Sequence, residues 1–259
     1  TTYQRESLDD CIHIIQLSID WTLLFQQLKQ ANHNLADLNT KQSQLFGEIA
    51  HELQSPLAVA IGNIGAADPA IRDSAAGQAS LRALARLSSL ANNLMLLARS
   101  DFGKLKLILQ PCDVCQLLQE LQVEMRPAAD EKNISFNSTC AVGKHIIPVD
   151  PDKLKSAFQN ILSNAFKYTD KDGEVLMTTN ITEKNIEVHF FNSGKHIPPE
   201  DMPQLFDRFY RRPVHHQSAE RGTGLGLAIT KTIVEEHGGT IICQNVQPKG
   251  VEFIVKLPR

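Results

Sequence analysis

The stretch Phe46-Gly-Glu-Ile-Ala-His51-Glu52-Leu-Gln-Ser55-Pro56-Leu57 sets a histidine directly before a glutamate and five residues before a proline. An imidazole nitrogen is a nucleophile, and a neighbouring carboxylate can take up its proton, which is the equipment of covalent group transfer. The bland alternative is a surface histidine that precedes an acid. Three further stretches carry chemical potential. Asn160, Asn164 and Lys167 fall at helical spacing i, i+4 and i+7, so they share one face. Amide oxygens there suit a hard cation such as magnesium, and the lysine suits phosphate oxygens; a polar outer face of a surface helix is the alternative. Gly222-Thr223-Gly224-Leu225-Gly226 opens a helix. Its glycines let backbone approach a phosphate, and the helix start offers free N–H groups. Its spacing is not that of the dinucleotide fingerprint. Phe206-Asp-Arg-Phe209-Tyr-Arg211-Arg212 is followed by a polar run to Arg221. Two phenylalanines three apart can anchor the base of a mobile loop and leave Arg211 and its neighbours free to reach anions. A routine helix end and surface loop is again the alternative.

Elements must place these groups. Residues 8 to 50 read as one long helix in which Leu24, Leu28, Ala31, Leu35, Leu38, Gln42, Leu45 and Ile49 alternate four and three apart. That is a coiled-coil seam, with a helix packed on its own domain as the alternative. Pro56 lacks the N–H owed to the carbonyl of Glu52, so a bend one turn beyond His51 is expected. The helix runs to about Ala67, and Asp68-Pro69 marks a new start by cap and first-turn preference, with Gly77 arguing for a later regular start. Leu84, Leu87, Leu90, Leu94 and Leu97 make a second seam. Two such helices bury their seams by pairing with a second copy as a four-helix bundle. Composition breaks at Ser100 to Lys104, where a domain boundary is placed. Beyond it strands are expected at 104–110, 134–139, 174–180, 185–192, 240–245 and 251–257. Helices are expected at 114–132 (interrupted or bent near Pro127), 152–168 and 225–237. Together these form a mixed sheet layered with helices.

Composition bounds the function. The chain of 259 residues is 42% hydrophobic and 21% charged, as ordinary globular proteins are. A net charge of −3 gives no electrostatic case for nucleic acid. No apolar run reaches the roughly 20 residues of a membrane span. No signal peptide opens the chain, so membrane association is expected only through an upstream region of a longer protein. Five cysteines, odd in number and scattered, point to a reducing compartment. Cys112 and Cys115 flank Asp113, which is expected to cap a helix in preference to organising a metal site.

Taken together, the four stretches resemble the sensor histidine kinases of two-component signalling. His51 to Leu57 is similar to the phosphoacceptor box, Asn160 to Thr169 to the asparagine box, Phe206 to Phe209 to the phenylalanine box, and Gly222 to Gly226 to the second glycine box. They occur in the family's order from about residue 41 onward. The resemblance implies a signalling helix over 1–40, a dimerisation and phosphotransfer hairpin over 41–103 and an α/β sandwich ATP-binding domain of the GHKL type, shared with gyrase and Hsp90, over 104–259. It implies a cytoplasmic homodimer that uses ATP and magnesium, phosphorylates itself on His51 and passes the group to a response regulator's receiver domain, which it could also dephosphorylate. Glu52 would assist the proton and Ser55 would supply a hydroxyl. Asn164 would hold magnesium with Asn160 near it, Lys167 would meet phosphates, and Tyr168 would lie along adenine. Gly222, Thr223, Gly224, Leu225 and Gly226 would admit the phosphates beneath a lid over 210–221 that includes Arg211, its stretch 213–221 poorly ordered without nucleotide. The first glycine box, D-x-G-x-G in the family, here reads Asn192-Ser193-Gly194-Lys195-His196. Asn192 is then expected to weaken ATP binding and blur base selectivity, and His196 to add strain if its backbone needs positive φ. Two rivals stand beside the kinase: a degenerate homologue acting as a regulator-binding scaffold or phosphatase, and an ATPase of the same fold without phosphotransfer.

Overall fold

The computed structural model describes residues 2–66, 69–102, 105–211 and 223–259, with side chains from Trp21 onward except those at 22–24, 35–37, 39 and 70. Leu24 and Leu35 of the expected coiled-coil seam and the expected lid stretch 213–221 therefore lie outside the described groups.

Helix α1, Thr2–Gly65, runs through Pro56 without ending. The residue owed a hydrogen bond by Pro56, Glu52, is exposed, so solvent can serve the freed carbonyl. The new start expected at Asp68-Pro69 resolves into two pieces, a single turn α2, Pro69–Arg72, and α3, Ala75–Asp101. The cap of the long helix is Ser74, whose hydroxyl oxygen accepts from the main-chain N–H of Gly77 at 3.1 Å. A β carbon on Gly77 would sit 2.3 Å from the carbonyl oxygen of Ile71, so the tight α2–α3 corner has room only for hydrogen there.

Helices α1 and α3 lie together through small residues. Ala50, Ala91 and Ala98 are buried between them, and a β carbon on Gly47 would meet that of Ala98 at 3.1 Å. Gln54 donates to Asn92 across the pair at 2.6 Å. Of the large side chains of α1, Leu57 is buried, while Leu28, Leu38, Leu45, Ile49 and Leu53 are exposed.

The second domain opens differently from expectation. No strand covers 104–110 among the described residues. The ladder begins later, at β1, Gln110–Asp113, because the Ile108 N–H is taken by the Asp150 carboxylate at 3.0 Å. β1 pairs antiparallel with β3, Ile146–Val149, a short strand that periodicity alone did not mark. Between them lie α4, Val114–Asp130, and β2, Ser135–Thr139. Asp113 caps α4, accepting from the N–H of Cys115, and the helix runs through Pro127 without interruption. Cys112, Cys115, Cys140 and Cys243 are free thiols.

Helix α5, Pro151–Tyr168, is capped by Asp150 with proline in its first turn. Strands β4, Glu174–Ile181, and β5, Asn185–Asn192, precede a short 3-10 turn, Met202–Gln204; α6, Gly226–Glu236, and the hairpin β6, Thr240–Asn245, and β7, Val251–Pro258, close the fold. The main sheet has the order β2-β4-β5-β7-β6, parallel only between β2 and β4. Alternate residues of β5 and β7 are buried, so one sheet face carries the helices. The core between them is fully closed: Phe158 packs on Phe190 and Phe166 on Phe136, each pair with centroids 5.0 Å apart.

Candidate functional site

Helices α5 and α6 run antiparallel and bring two of the predicted stretches together. The α6 N-terminus begins at Gly226, and a β carbon there would lie 3.6 Å from the Asn160 side chain, an ordinary contact. One turn along α6 the Thr230 hydroxyl donates to the carbonyl of Ala157 on α5 at 3.3 Å. Asn160, Asn164 and Lys167 are half-buried along the same α5 face, as their spacing predicts. Lys167 holds its ammonium 5.4 Å from the ring centroid of the exposed Tyr168.

The first glycine box joins the other end of α5. Asn192 is buried at the end of β5, and a β carbon on Gly194 would stand 2.5 Å from the Tyr168 carbonyl oxygen and 2.6 Å from Asn192 Nδ2. Glycine is thus required at 194 by close approach. The expectation for His196 is corrected: its backbone is not among the left-handed ones in the described residues, so the histidine imposes no strain there. Its ring nitrogen Nε2 instead makes a 3.0 Å hydrogen bond with the carbonyl of Val246.

In the second glycine box Gly224 has φ +74° and Phe209 has φ +63°. The two main chains face each other, with the Phe209 N–H donating to the Gly224 carbonyl at 2.9 Å. A side chain on Gly224 would strike Phe209 at 2.8 Å. Thr223 is exposed, and its hydroxyl oxygen accepts from the Leu225 N–H at 3.3 Å. Leu225 departs from its expected part: its side chain is fully buried against Leu97, Ala157, Ile229 and Ile233, so only its backbone is left to face a ligand. Arg211 is exposed, and Gly222 lies outside the described residues.

His51, Glu52 and Ser55 are all exposed on α1. His51 sits roughly 7.5 Å along the helix axis from Phe46. Phe46 is where the two domains meet, its ring 5.8 Å from that of Phe209. Beside that stack Arg208 makes a two-pronged ion pair with Asp101, one prong at 2.7 Å, and the Ser43 hydroxyl also donates to Asp101. Burial alone would raise the Asp101 carboxyl, but the bonds from Arg208 and Ser43 outweigh it and hold it below the usual carboxylate range. The hydrogen bond from Asp101 likewise raises Arg208 above its ordinary value. Leu90, Leu94 and Leu97 of α3 pack against Leu225, Ile229 and Ile233, so part of the seam expected to meet a second copy is covered by the chain's own α/β domain. Neither Ser43 nor Asp101 stood out in the sequence, because each owes its role to a partner more than a hundred residues away.

Among the described residues no group of three or more His, Cys, Asp or Glu could hold a metal ion. A cation would therefore rest on amide oxygens such as those of Asn160 and Asn164 and on oxygens of a phosphorylated ligand, a donor set that fits magnesium. Half-buried amides, a lysine and a glycine-opened helix start on one side of the domain are what a nucleotide triphosphate with magnesium requires.

Comparison with known proteins agrees with this arrangement. Residues 149–259 match the family model described as histidine kinase-, DNA gyrase B-, and HSP90-like ATPase. Over 235 residues the chain is 31% identical to Sensor protein SrrB of Staphylococcus aureus strain N315, covering 87% of this chain and 40% of that protein. The chain thus spans well under half the length of the curated relatives it matches. The solved structure of full-length ShkA in complex with AMPPNP shares the fold, with a TM-score of 0.68 at 24% identity over 83% of this chain and 45% of that one. The catalytic domain of histidine kinase ThkA matches 58% of this chain and 97% of its own at 28% identity and a TM-score of 0.52. ThkA in complex with response regulator protein TrrA matches 83% of this chain and 61% of its own at 22% identity and a TM-score of 0.54, which again speaks to the fold.

Proposed function

We propose, from the premise that this chain belongs with the sensor histidine kinases and carries an ATPase domain of the histidine kinase, gyrase B and HSP90 type, that it transfers the γ-phosphoryl group of ATP to His51. From His51 the group passes to an aspartate on the receiver domain of a separate response regulator, and the chain acts as a homodimer in the cytoplasm. One observation carries this proposal: the Asn160–Asn164–Lys167 face lies beside the start of α6 at Gly226, in a chain whose helical hairpin presents an exposed His51.

The roles follow from chemistry. The Tyr168, Asn192 and Gly194 corner takes the adenine, with Tyr168 along its face. Lys167 and the main chain of Thr223 to Gly226 meet the phosphates. Asn164, with Asn160 near it, would hold magnesium, which neutralises charge on the transferring group. A ring nitrogen of His51 attacks the γ-phosphorus while the bond to the β–γ bridging oxygen breaks and ADP leaves. Glu52 accepts the ring proton, and Ser55 offers a hydroxyl one turn on. Positioning and charge neutralisation supply most of the catalysis, as is general for phosphoryl transfer.

A second reading, a degenerate homologue acting as scaffold or phosphatase, draws on Asn192 in place of aspartate. Incubation with γ-labelled ATP separates the two. The kinase acquires an acid-labile, base-stable phosphate that His51→Gln abolishes while nucleotide still binds. Equal labelling of the variant would refute the assignment of His51, and no labelling of the parent would favour the scaffold.

A further inference from the structure

His237 lies just past the end of α6 and touches two main chains. Its Nε2 is 2.9 Å from the N–H nitrogen of Asp150, and its Nδ1 is 2.7 Å from the carbonyl oxygen of Ile233. A main-chain N–H can only donate and a carbonyl can only accept. Nε2 must therefore carry the lone pair and Nδ1 the hydrogen, which fixes the ring as neutral and as one tautomer.

The two bonds join functional elements. Asp150 is the N-cap of α5, which carries Asn160, Asn164 and Lys167, and α6 carries Gly226 at its other end, roughly 16 Å away along the helix. Gly226 beside Asn160, Thr230 on Ala157 and His237 on Asp150 are three successive rungs between the helices. The lowest rung also reaches the interdomain segment, since the Asp150 carboxylate accepts from the Ile108 N–H at 3.0 Å and from Lys153. Charged groups at this corner are Asp150 and Lys153 at the start of α5 and Glu235 and Glu236 at the end of α6, with Glu236 accepting from the Ser100 hydroxyl of α3.

We infer that His237 is a positioning residue for nucleotide binding: in its neutral form it clamps the C-terminus of α6 to the N-terminus of α5 and so sets the two helices that flank the phosphates. The inference rests on the nucleotide-site assignment above. A side chain with no acceptor at the place of Nε2 loses the rung to the Asp150 N–H, so nucleotide affinity depends on a residue remote from the phosphates.

The test is calorimetric titration with magnesium and a non-hydrolysable ATP analogue on the parent, His237→Gln and His237→Leu at about pH 8, where histidine is neutral. Glutamine keeps a neutral acceptor at the place of Nε2, and leucine keeps none. His237→Leu is expected to bind about fivefold more weakly than the parent, the factor one net hydrogen bond is worth, and His237→Gln is expected to recover most of that loss. Equal affinities for the parent and His237→Leu overturn the inference. Nitrogen-15 spectra of the parent decide independently of any variant's folding: a neutral Nδ1–H ring supports the clamp, and an Nε2–H or cationic ring at pH 8 overturns it. Absence of analogue binding to the parent would overturn the nucleotide site itself, and the ring spectra would still decide for or against the clamp.

Discussion

The hairpin and the α/β domain use apolar residues in opposite ways. In the α/β domain the large side chains are shut in: Phe136, Phe158 and Phe190 are fully buried, and the sheet turns one face to the helices. In the hairpin the small residues Gly47, Ala50, Ala91 and Ala98 sit close between α1 and α3 and Leu57 is buried, while Leu28, Leu38, Leu45 and Ile49 stand about half exposed or more. Small residues bring helix axes close but bury little area, so the stability of such a pair must come from elsewhere. The contrast teaches that one half of the molecule closes its core within a single chain, whereas the other leaves large apolar side chains uncovered. Some cover is supplied in cis, by Leu225, Ile229 and Ile233 against α3.

The contrast can be broken at its strongest point first. Phe158→Ala should cost the α/β domain about 3–5 kcal/mol, the range for truncating a buried aromatic. A denaturant titration of the variant showing a shift under 1 kcal/mol (roughly the median for any substitution) would mean that this core is not closed. Leu45→Ala together with Ile49→Ala tests the other half. Within one chain these exposed residues contribute little, but in a homodimer the pair should cost on the order of 4 kcal/mol of association. Light scattering on dilution reads this, and a parent that is monomeric at micromolar concentration would remove the dimer from the account.

Smaller effects sharpen the picture where the halves and the ligand meet. Asn192→Asp should tighten ATP binding by about 1 kcal/mol, roughly fivefold, because an ionised acceptor bonds an amino group more strongly than an amide does. It should also restore discrimination against GTP, whose carbonyl the amide N–H of Asn192 can serve. Calorimetry with both nucleotides that finds no change would detach Asn192 from the base. Last comes the Arg208–Asp101 pair. Its carboxyl is depressed in the folded state, so its contribution is present above the ordinary carboxylate range, about 4, and is lost as pH falls through the depressed value. Both partners are about a third exposed, so Asp101→Asn should weaken domain docking by no more than about 1 kcal/mol. Amide exchange around Ser43 and Phe209 should quicken in the variant at neutral pH, and identical exchange in parent and variant would rule out a docking role.

What could be read from the sequence follows the range of the interactions. Helix α5 with its asparagine face, strand β5 and the β6–β7 hairpin were legible because their cues are local: capping by Asp150 and Pro151, alternation along Asn185 to Asn192, and Gly238 after the helix. β1 was misplaced by several residues since Ile108 spends its N–H on Asp150, a partner far along the chain. The cap at Ser74 was missed because a two-residue break separates α2 from α3 where one start was expected. His196 replaces a glycine without strain, which depends on a backbone angle that residue type does not reveal. The same holds for Ser43 and Asp101, whose meeting with Arg208 exists only once two domains have docked.

The main chain of Phe209 is bonded to Gly224 while its ring rests on Phe46 of the long helix. One residue therefore belongs to both ends of a transmission. A turn of α1 about its axis would disturb the Phe46–Phe209 stack, and the 2.9 Å bond would pass that strain to the glycine loop. Thermodynamic reciprocity runs the exchange backwards at equal value: a ligand that stiffens the loop resists the turn by as much as the turn loosens the ligand. The coupling free energy of such a turn with ligand binding would be one number, whichever end it is read from.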